Sequence, residues 1–389
     1  MGARMMFFFV VAPLLWIALH VYLGRRLLGG WSLPRWGRAL GWGVVAVMGL
    51  LPPLTFVFMR RSGAGTPEPV QWLGFLLMGL SSIVLVMLVT ADVLMLLRRL
   101  VLRLRSTPAA DPSRRAFLGR AVNLGIAGGA GVVTGVGVVQ ARQLPAVVEV
   151  DVPIEGLPPA AEGFRIVQIS DVHVGPTIHG DFLSAVVDRI NELKPDLVAV
   201  TGDLIDGYVD DLRDEVASLH RLRARHGSFF VTGNHEYYWD GPAWCDEMRR
   251  LGLTVLTNEH RVIEHEGARL LVAGVTDVSA GRMVAGHASD PAGARRGAPE
   301  HDVRVLLAHQ PRSIYAAAEA GYHLQISGHT HGGQYFPMNL LVYLAQPYVA
   351  GLARHDDTWI YVSRGTGYWG PPVRVGAPHE ITVLRLVPA

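Results

Sequence analysis

Phe164-Arg165-Ile166-Val167-Gln168-Ile169-Ser170-Asp171-Val172-His173 decides how the C-terminal part of this chain is read. It opens as a β-rich apolar run and ends by delivering an aspartate and a histidine one residue apart. The same pattern recurs downstream. Asp196–Thr201 reads as a strand ending in Gly202-Asp203, and Ser228–Thr232 ends in Gly233-Asn234-His235-Glu236. Val303–Ala308 ends in His309, and Tyr322–Ser327 ends in Gly328-His329-Thr330-His331. Helices predicted over Gly180–Leu193 and Leu212–His226 separate the first three strands, which makes the class α/β. Open α/β sheets carry their sites at the carboxyl ends of the strands. Five strand ends here deliver Asp, Asn, His or His-x-His to that edge.

Those residue types can build a two-metal centre. Hard and borderline divalent cations take carboxylate, amide oxygen and imidazole ligands. In an extended segment residues i and i+2 point the same way, so Asp171 with His173, and His329 with His331, are each expected to converge. Asp203 offers two oxygens, enough to bridge two ions. Ions roughly 3.5–4 Å apart share a water, lower its pKa and hold a phosphoryl group for in-line attack. Cys245 is the only cysteine, which excludes a disulfide framework and a thiolate zinc site.

Taken in order, Asp171-x-His173, Gly202-Asp203, Gly233-Asn234-His235-Glu236, His309 and Gly328-His329-Thr330-His331 resemble the calcineurin-like metallophosphoesterases. The resemblance covers residues 163 to about 385. It implies a four-layer α/β/β/α metallophosphoesterase sandwich and two divalent metal ions, whether Mn, Fe, Zn or Mg. By that resemblance Asp171, His173 and His331 hold the first ion, Asn234, His309 and His329 hold the second, and Asp203 bridges. It also makes His235 the group that stabilises the transition state or protonates the leaving oxygen. Asp206 would orient that histidine, although an Asp after a strand is often a helix cap. The sequence looks most similar to the bacterial membrane-associated subgroup with the longer block Gly328-His329-Thr330-His331-Gly332-Gly333-Gln334. Several members of that subgroup are exported by the twin-arginine route or hydrolyse lipid-linked substrates. The protein-phosphatase branch has an arginine after the carboxylate at the Asp206 position. Gly207 and Tyr208 stand there instead, which argues against a phosphoprotein substrate. Arg364 or Arg374 would supply charge toward phosphate, or else lie on the surface.

The first 140 residues read differently. Half of the 389-residue chain is hydrophobic and only 17% is charged, and the apolar excess lies before the strands. Residues 1–140 are expected to be a membrane anchor of about four transmembrane helices, near 5–23, 39–59, 70–97 and 121–139. Each is long enough for a hydrocarbon core of roughly 30 Å. Residues 141–162 are expected to be a proline-rich linker, with Val147–Val152 able to form an edge strand, and 163–389 the phosphoesterase domain. Arg25, Arg26, Arg35 and Arg38 follow the first span; Arg98, Arg99, Arg103, Arg105, Arg114, Arg115 and Arg120 follow the third. Basic loops stay in the cytoplasm, so the domain after the fourth span is expected outside. Ser113-Arg114-Arg115-Ala116-Phe117-Leu118 resembles a twin-arginine export motif, which would bring the twin-arginine machinery as a partner. Asp92 is expected to snorkel toward the interface near Arg98 and Arg99.

A net charge of +2 gives no ground for nucleic acid. The expected partners are the bilayer and a phosphoester substrate, lipid-linked or envelope-derived, at the bacterial cytoplasmic membrane. The competing readings are a metal-bound membrane sensor or scaffold and a transporter with an accessory hydrolase. The retained ligand types speak against the former, and the scarcity of polar residues in the spans against the latter. Tyr237, Tyr238, Trp239 and Trp244, with Tyr368 and Trp369 opposite, would line a substrate groove or simply pack. Ser279–Ala298 reads as a flexible insertion.

Overall fold

A computed structural model of the chain describes residues 11–62, 67–105 and 111–389. It divides into two compact units: 1–139 with 370–373, and the rest. Among the described residues, four helices make up this N-terminal part: α1 (Ala12–Leu28), α2 (Arg35–Ser62), α3 (Glu68–Leu104) and α4 (Pro112–Arg142), whose last turn belongs to the second unit. Among the described residues, three helical stretches are long and apolar enough to cross a membrane: Arg35–Met59, Glu68–Leu104 and Ser113–Arg142. The expected first span begins at residues 5–10, outside the described residues; α1 covers the remainder of it. The twin-arginine stretch lies in the first turns of α4, where the Asp111 carboxylate accepts from the Ser113 amide at 2.7 Å.

Small residues let these helices approach, as expected where lipid supplies no hydrophobic drive. A Cβ on Gly74 of α3 would fall 2.1 Å from Thr55 Oγ1 of α2. The cation that Asp92 meets is Arg26, where the sequence pointed to Arg98 and Arg99. The Asp92 carboxylate accepts from Tyr22 Oη and from Arg26 Nε, both at 2.8 Å, on α1. Arg26 also donates to Asn123 Oδ1 of α4 at 2.6 Å, and Asn123 donates back to Arg26 O at 2.8 Å. Asp92→Ala is expected to lower the stability of the detergent-solubilised protein by about 1 kcal/mol, read as a fall in its thermal midpoint. Asp92→Asn keeps an acceptor for Tyr22 and should lose less. An Asp92→Ala protein as stable as its parent would show that the clamp holds nothing together.

The second unit is built on two six-stranded sheets. The first has the order β1 (Ala146–Ile154), β12 (Glu380–Pro388), β2 (Arg165–Ile169), β3 (Leu197–Val200), β4 (Ser228–Phe230), β5 (Thr254–Val255). The second runs β10 (Gly351–His355), β11 (Thr358–Val362), β9 (Leu324–Ser327), β8 (Val303–Leu307), β7 (Ala268–Gly274), β6 (Glu259–His265). Side chains alternate along each strand, and the alternation makes the layers. Ile166, Leu197, Ala199, Leu270, Val272, Val305 and Ile326 meet in one core between the sheets. Val167, Ile169, Val198 and Val200 turn outward onto Leu183, Val186 and Ile190 of α5 (Gly180–Glu192) and onto Trp244 and Met248. On the far side Leu271, Ala273 and Leu306 pack against Ala317 of the helix Ile314–Glu319. The result is the expected α/β/β/α sandwich.

The edge strand expected within residues 141–162 is present and longer: β1 runs parallel to β12 from Ala146↔Glu380 to Ile154↔Pro388. Pro145 stands just before the strand, Pro153 near its end, and Pro158 and Pro159 after it; on the sheet edge a missing N–H costs little. Two expectations change. The helix expected over Leu212–His226 is a four-residue helix, Val209–Leu212, and a 3-10 turn, Ala217–Arg221. Arg221 ties this segment to α5 through Asp188 and Ser184 Oγ, at 2.6 and 2.7 Å. Ser279–Ala298 is packed: Ala280, Pro291 and Ala294 are buried, Tyr322 Oη donates to Pro291 O at 2.9 Å, and Thr276 Oγ1 donates to His287 O at 2.8 Å.

Candidate metal centre

The strand ends of both sheets meet along one edge. Asp171 follows β2, Asp203 follows β3, Asn234 follows β4, His309 follows β8, and His329 and His331 follow β9. Asp171, His173 and His331 form one group whose ligand atoms lie close together, and Asp203, His309 and His329 form another. His173 Nε2 lies 3.1 Å from His331 Nε2, which is 3.4 Å from Asp171 Oδ1. In the second group His309 Nε2 lies 3.0 Å from Asp203 Oδ2 and 3.2 Å from His329 Nδ1.

The convergence does not arise from extended backbone. Asp171 (φ 54°), His173 (57°), Asp203 (50°), His329 (73°) and His331 (53°) all sit in the left-handed region. Such conformations cost of order 1–3 kcal/mol each and cluster at functional sites. Each turns the chain sharply as it leaves its strand, so that backbone amides and ligand side chains face the same point. His329 N–H donates to both Asp171 oxygens, at 2.9 and 3.0 Å, locking two of these turns together. Gly328 must be glycine for this contact, since its Cβ would lie 2.0 Å from Ser170 Oγ and 2.2 Å from Asp171 Oδ2.

The residues fit divalent ions. Thr201 O accepts from His309 Nδ1 at 2.8 Å and Asp206 accepts from His173 Nδ1 at 3.1 Å, so both Nε2 lone pairs turn inward. Asn234 Oδ1 is buried with no hydrogen-bond partner, an acceptor that a cation would satisfy. Charge makes the same demand. Burial would keep the His309 ring neutral, yet Asp203 and Asp171 outweigh it and hold its pKa well above the usual range. Burial alone would push the Asp203 carboxyl up, but His309 and His235 hold it well below. Asp171, with too little compensation for its burial, is raised. His329 is depressed to about 3 by burial and then by His309.

His235 stands beside the ligands, with its ring 4.6 Å from that of His173. Its Nδ1 is bonded to Asp206 Oδ1, so Asp206 orients two imidazoles, His173 and His235, and does not cap a helix. Burial opposes a charge on His235, but Asp206 and then Asp203 push it up to about 9. The same two histidines hold Asp206 near 2 against its burial.

Other side chains fall out differently from the sequence expectation. Arg374 is no surface residue: it is 1% exposed and donates to the carbonyls of Gly367, Ala377 and Arg364. Arg364 pairs with buried Glu380 at 2.8 Å. Both charges serve the scaffold. Trp244 is in the core, its Nε1 donating to Gly207 O at 3.0 Å, and Tyr237 is buried. Tyr238 and Trp369 are exposed and flank His235, with ring centroids 5.0 and 5.4 Å from it. Glu236 does more than cap: it accepts from the amides of Asp203, Leu204 and Gly233 at 3.0, 2.8 and 2.6 Å. Sequence reasoning misses Asp277. It follows β7, is 1% exposed, and takes both oxygens to Gln310 Nε2 at 3.2 and 3.0 Å. Its position after an apolar strand is the signal that marks the ligands themselves.

This edge of buried carboxylates and imidazoles defines a metal-dependent hydrolase site in an α/β/β/α sandwich. Residues 164–333 match the Calcineurin-like phosphoesterase family. A "Transmembrane protein with metallophosphoesterase domain" from Danio rerio is 39% identical over 257 residues, 64% of this chain and 59% of that protein. An "Uncharacterized metallophosphoesterase" from Helicobacter pylori is 36% identical over 279 residues, 71% of this chain and 73% of its own. The crystal structure of a 5'-nucleotidase precursor from Thermus thermophilus aligns at 18% identity over 57% of this chain and 54% of that one, with a TM-score of 0.38. The chain belongs to the calcineurin-like metallophosphoesterase family. It spans 59% of the length of the Danio rerio relative.

Proposed function

We propose that this chain is a membrane-anchored phosphoesterase that hydrolyses a phosphodiester, pyrophosphate or phosphomonoester in a lipid or envelope-derived substrate. The carrying observation is the meeting of Asp171, His173 and His331 with Asp203, His309 and His329 at one buried edge, next to the unpartnered Asn234 Oδ1. Two divalent ions held there, Mn, Fe, Zn or Mg, supply Lewis acidity toward phosphoryl oxygens and make water a nucleophile near neutral pH. Asp171, His173 and His331 would hold one ion and His309, His329 and Asn234 the other, with Asp203 able to serve both. Asp206 holds His173 with its Nε2 toward the ligands and His235 with its Nε2 free to donate. His235 then stabilises charge on the phosphoryl group and protonates the leaving oxygen.

The block Gly328–Gln334 favours the bacterial membrane-associated subgroup. The arginine-rich segments after the first and third predicted spans favour a domain outside the cytoplasmic membrane, after four crossings. The arginine pair at 114–115 favours passage through the twin-arginine machinery. Only residues 143–145 separate α4 from β1, a short tether between the domain and the predicted fourth span. That raises its effective concentration toward lipid-linked esters.

The test is hydrolysis by the detergent-solubilised full chain after chelation, with and without added manganese, on bis-p-nitrophenyl phosphate, p-nitrophenyl phosphate and a bacterial lipid extract. Metal-restored cleavage is expected, with the diester favoured over the monoester. A folded, metal-loaded protein that cleaves none of the three would sink the reading and leave the sensor or scaffold.

A further inference from the structure

We infer that residues 336–344, which follow the His329-x-His331 loop, form a knob that inserts into a lipid surface and seats the mouth of the site on the bilayer. The inference rests on the membrane-anchored phosphoesterase reading and deepens it: the scissile phosphoester would be one presented at a lipid headgroup. Residues 335–350 contain no charged side chain. Within them lie a helix, Met338–Leu341, and a 3-10 turn, Val342–Leu344, neither of which contributes a buried residue. Phe336, Met338, Leu340, Leu341, Tyr343 and Leu344 are exposed by 49, 45, 59, 48, 63 and 86%. Soluble surfaces scatter such side chains singly, and a contiguous apolar patch marks an interaction site.

Several features commit the patch to lipid over a protein partner. The exposure peaks at 86% at Leu344, so the element protrudes, and a protrusion suits a fluid apolar phase better than a flat protein face. The same chain carries helices apolar enough to span a bilayer, which places a lipid surface within reach of the domain. Polar and aromatic groups beside the knob suit the headgroup layer. Arg312, itself exposed, donates to Ala345 O just past the knob, and the exposed Tyr343 lies within it. Tyr and Trp favour that interfacial zone.

The knob is bolted to the site at both ends. At its start, Gln334 Oε1 accepts from the Trp369 amide at 3.0 Å and Gln334 Nε2 donates to Trp369 O at 3.1 Å, and Trp369 flanks His235. At its end, Thr330 Oγ1 donates to Val349 O at 2.6 Å, between the two histidines of the loop. Gln346 Nε2 donates to Gln310 Oε1 at 3.2 Å, and Gln310 follows ligand His309 and bonds Asp277. Insertion of the knob therefore fixes where the metal-ligand loops sit relative to the headgroups.

The experiment uses the full chain in bilayers of phosphatidylcholine with a minor share of phosphatidylglycerol. Leu344→Cys is labelled with an environment-sensitive fluorophore, with Glu266→Cys, in the turn between β6 and β7, as the control. Labelling is selective because the one native cysteine, Cys245, is buried and its thiol is pushed up to about 12 by that burial. The expected result is a blue-shifted emission at position 344 that spin-labelled lipids quench, and neither change at position 266. Emission at position 344 that matches the control overturns the inference. So does crosslinking between chains through the introduced thiol in place of lipid quenching. This readout needs no activity, so it stands apart from failure of the phosphoesterase reading. Where activity is found, Leu340→Ser with Leu344→Ser is expected to raise KM for a lipid ester about tenfold and leave kcat/KM on bis-p-nitrophenyl phosphate unchanged. An equal loss on both substrates would count against the knob and for a folding defect.

Discussion

Asp203→Asn is expected to lower metal-dependent hydrolysis by about 10³-fold or more and to lower the stability of the metal-free protein at neutral pH. The substitution keeps the shape and one oxygen, so the His235 amide, which donates to Asp203 Oδ1 at 2.8 Å, retains its acceptor. What it removes is the charge facing His309 Nε2 at 3.0 Å, at the only proposed ligand shared by both ions. Without metal that charge still pairs with His309 and His235, which hold its pKa well below the usual carboxylate range against its burial, so it contributes stability at neutral pH. Asp203 is 2% exposed. After burial itself, it is the leading cause that raises Glu236 to about 7, and it also raises Asp171. Neutralising it relieves that repulsion among buried acids but removes the stronger attraction to His309 and His235. The measurements are initial rate, bound metal per chain by elemental analysis, and the thermal midpoint after chelation. Activity within about tenfold of the parent would overturn the bridging role. Lost activity in a protein that no longer unfolds cooperatively would mean that the residue serves the fold instead.

The parts of this molecule that are legible in the sequence share a cause. A strand buried on both faces is a short apolar run, and a polar residue where the run stops stands out against it. Asp171, Asp203, Asn234, His309 and His329 are visible for that reason, and the layered sandwich follows from the runs and the helices between them. What stays hidden is set by contacts without local periodicity. Asp277 meets Gln310 across 33 positions, and no spacing rule connects them. Glu236 stands next to His235, yet its work is to bind amides near Asp203, again 33 positions away. Arg374 reads as a charge for phosphate because arginines are seldom buried; four carbonyl oxygens, those of His331, Arg364, Gly367 and Ala377, make burial tolerable here. The Arg26–Asp92 clamp joins helices whose order in space no hydropathy pattern reveals. The left-handed ligands are hidden differently. Asp and His enter that region more readily than β-branched residues, but only the fixed strand ends force them to.

His235→Ala is expected to lower kcat by about 10²–10³-fold on esters with a poor leaving group, and far less on p-nitrophenyl esters. The reasoning starts from the ring's two nitrogens. Nδ1 is bonded to Asp206, and Nε2 is 3.9 Å from Asp203 Oδ2, too far for a hydrogen bond and thus open toward substrate. An alkoxide leaving group needs that proton; a nitrophenolate departs without it. A purely orienting role would instead lower both rates alike. Asp206→Asn separates the two further. It should cost about 10–100-fold, because His235 keeps its place but loses the carboxylate that favours its charge. Asp206 also orients His173, so this variant should lose metal affinity as well, whereas His235→Ala should not. The comparison is kcat against leaving-group pKa for the parent and both variants, with metal content measured alongside. A deficit in His235→Ala that does not grow with leaving-group pKa would remove proton donation from its role and leave charge stabilisation of the phosphoryl group.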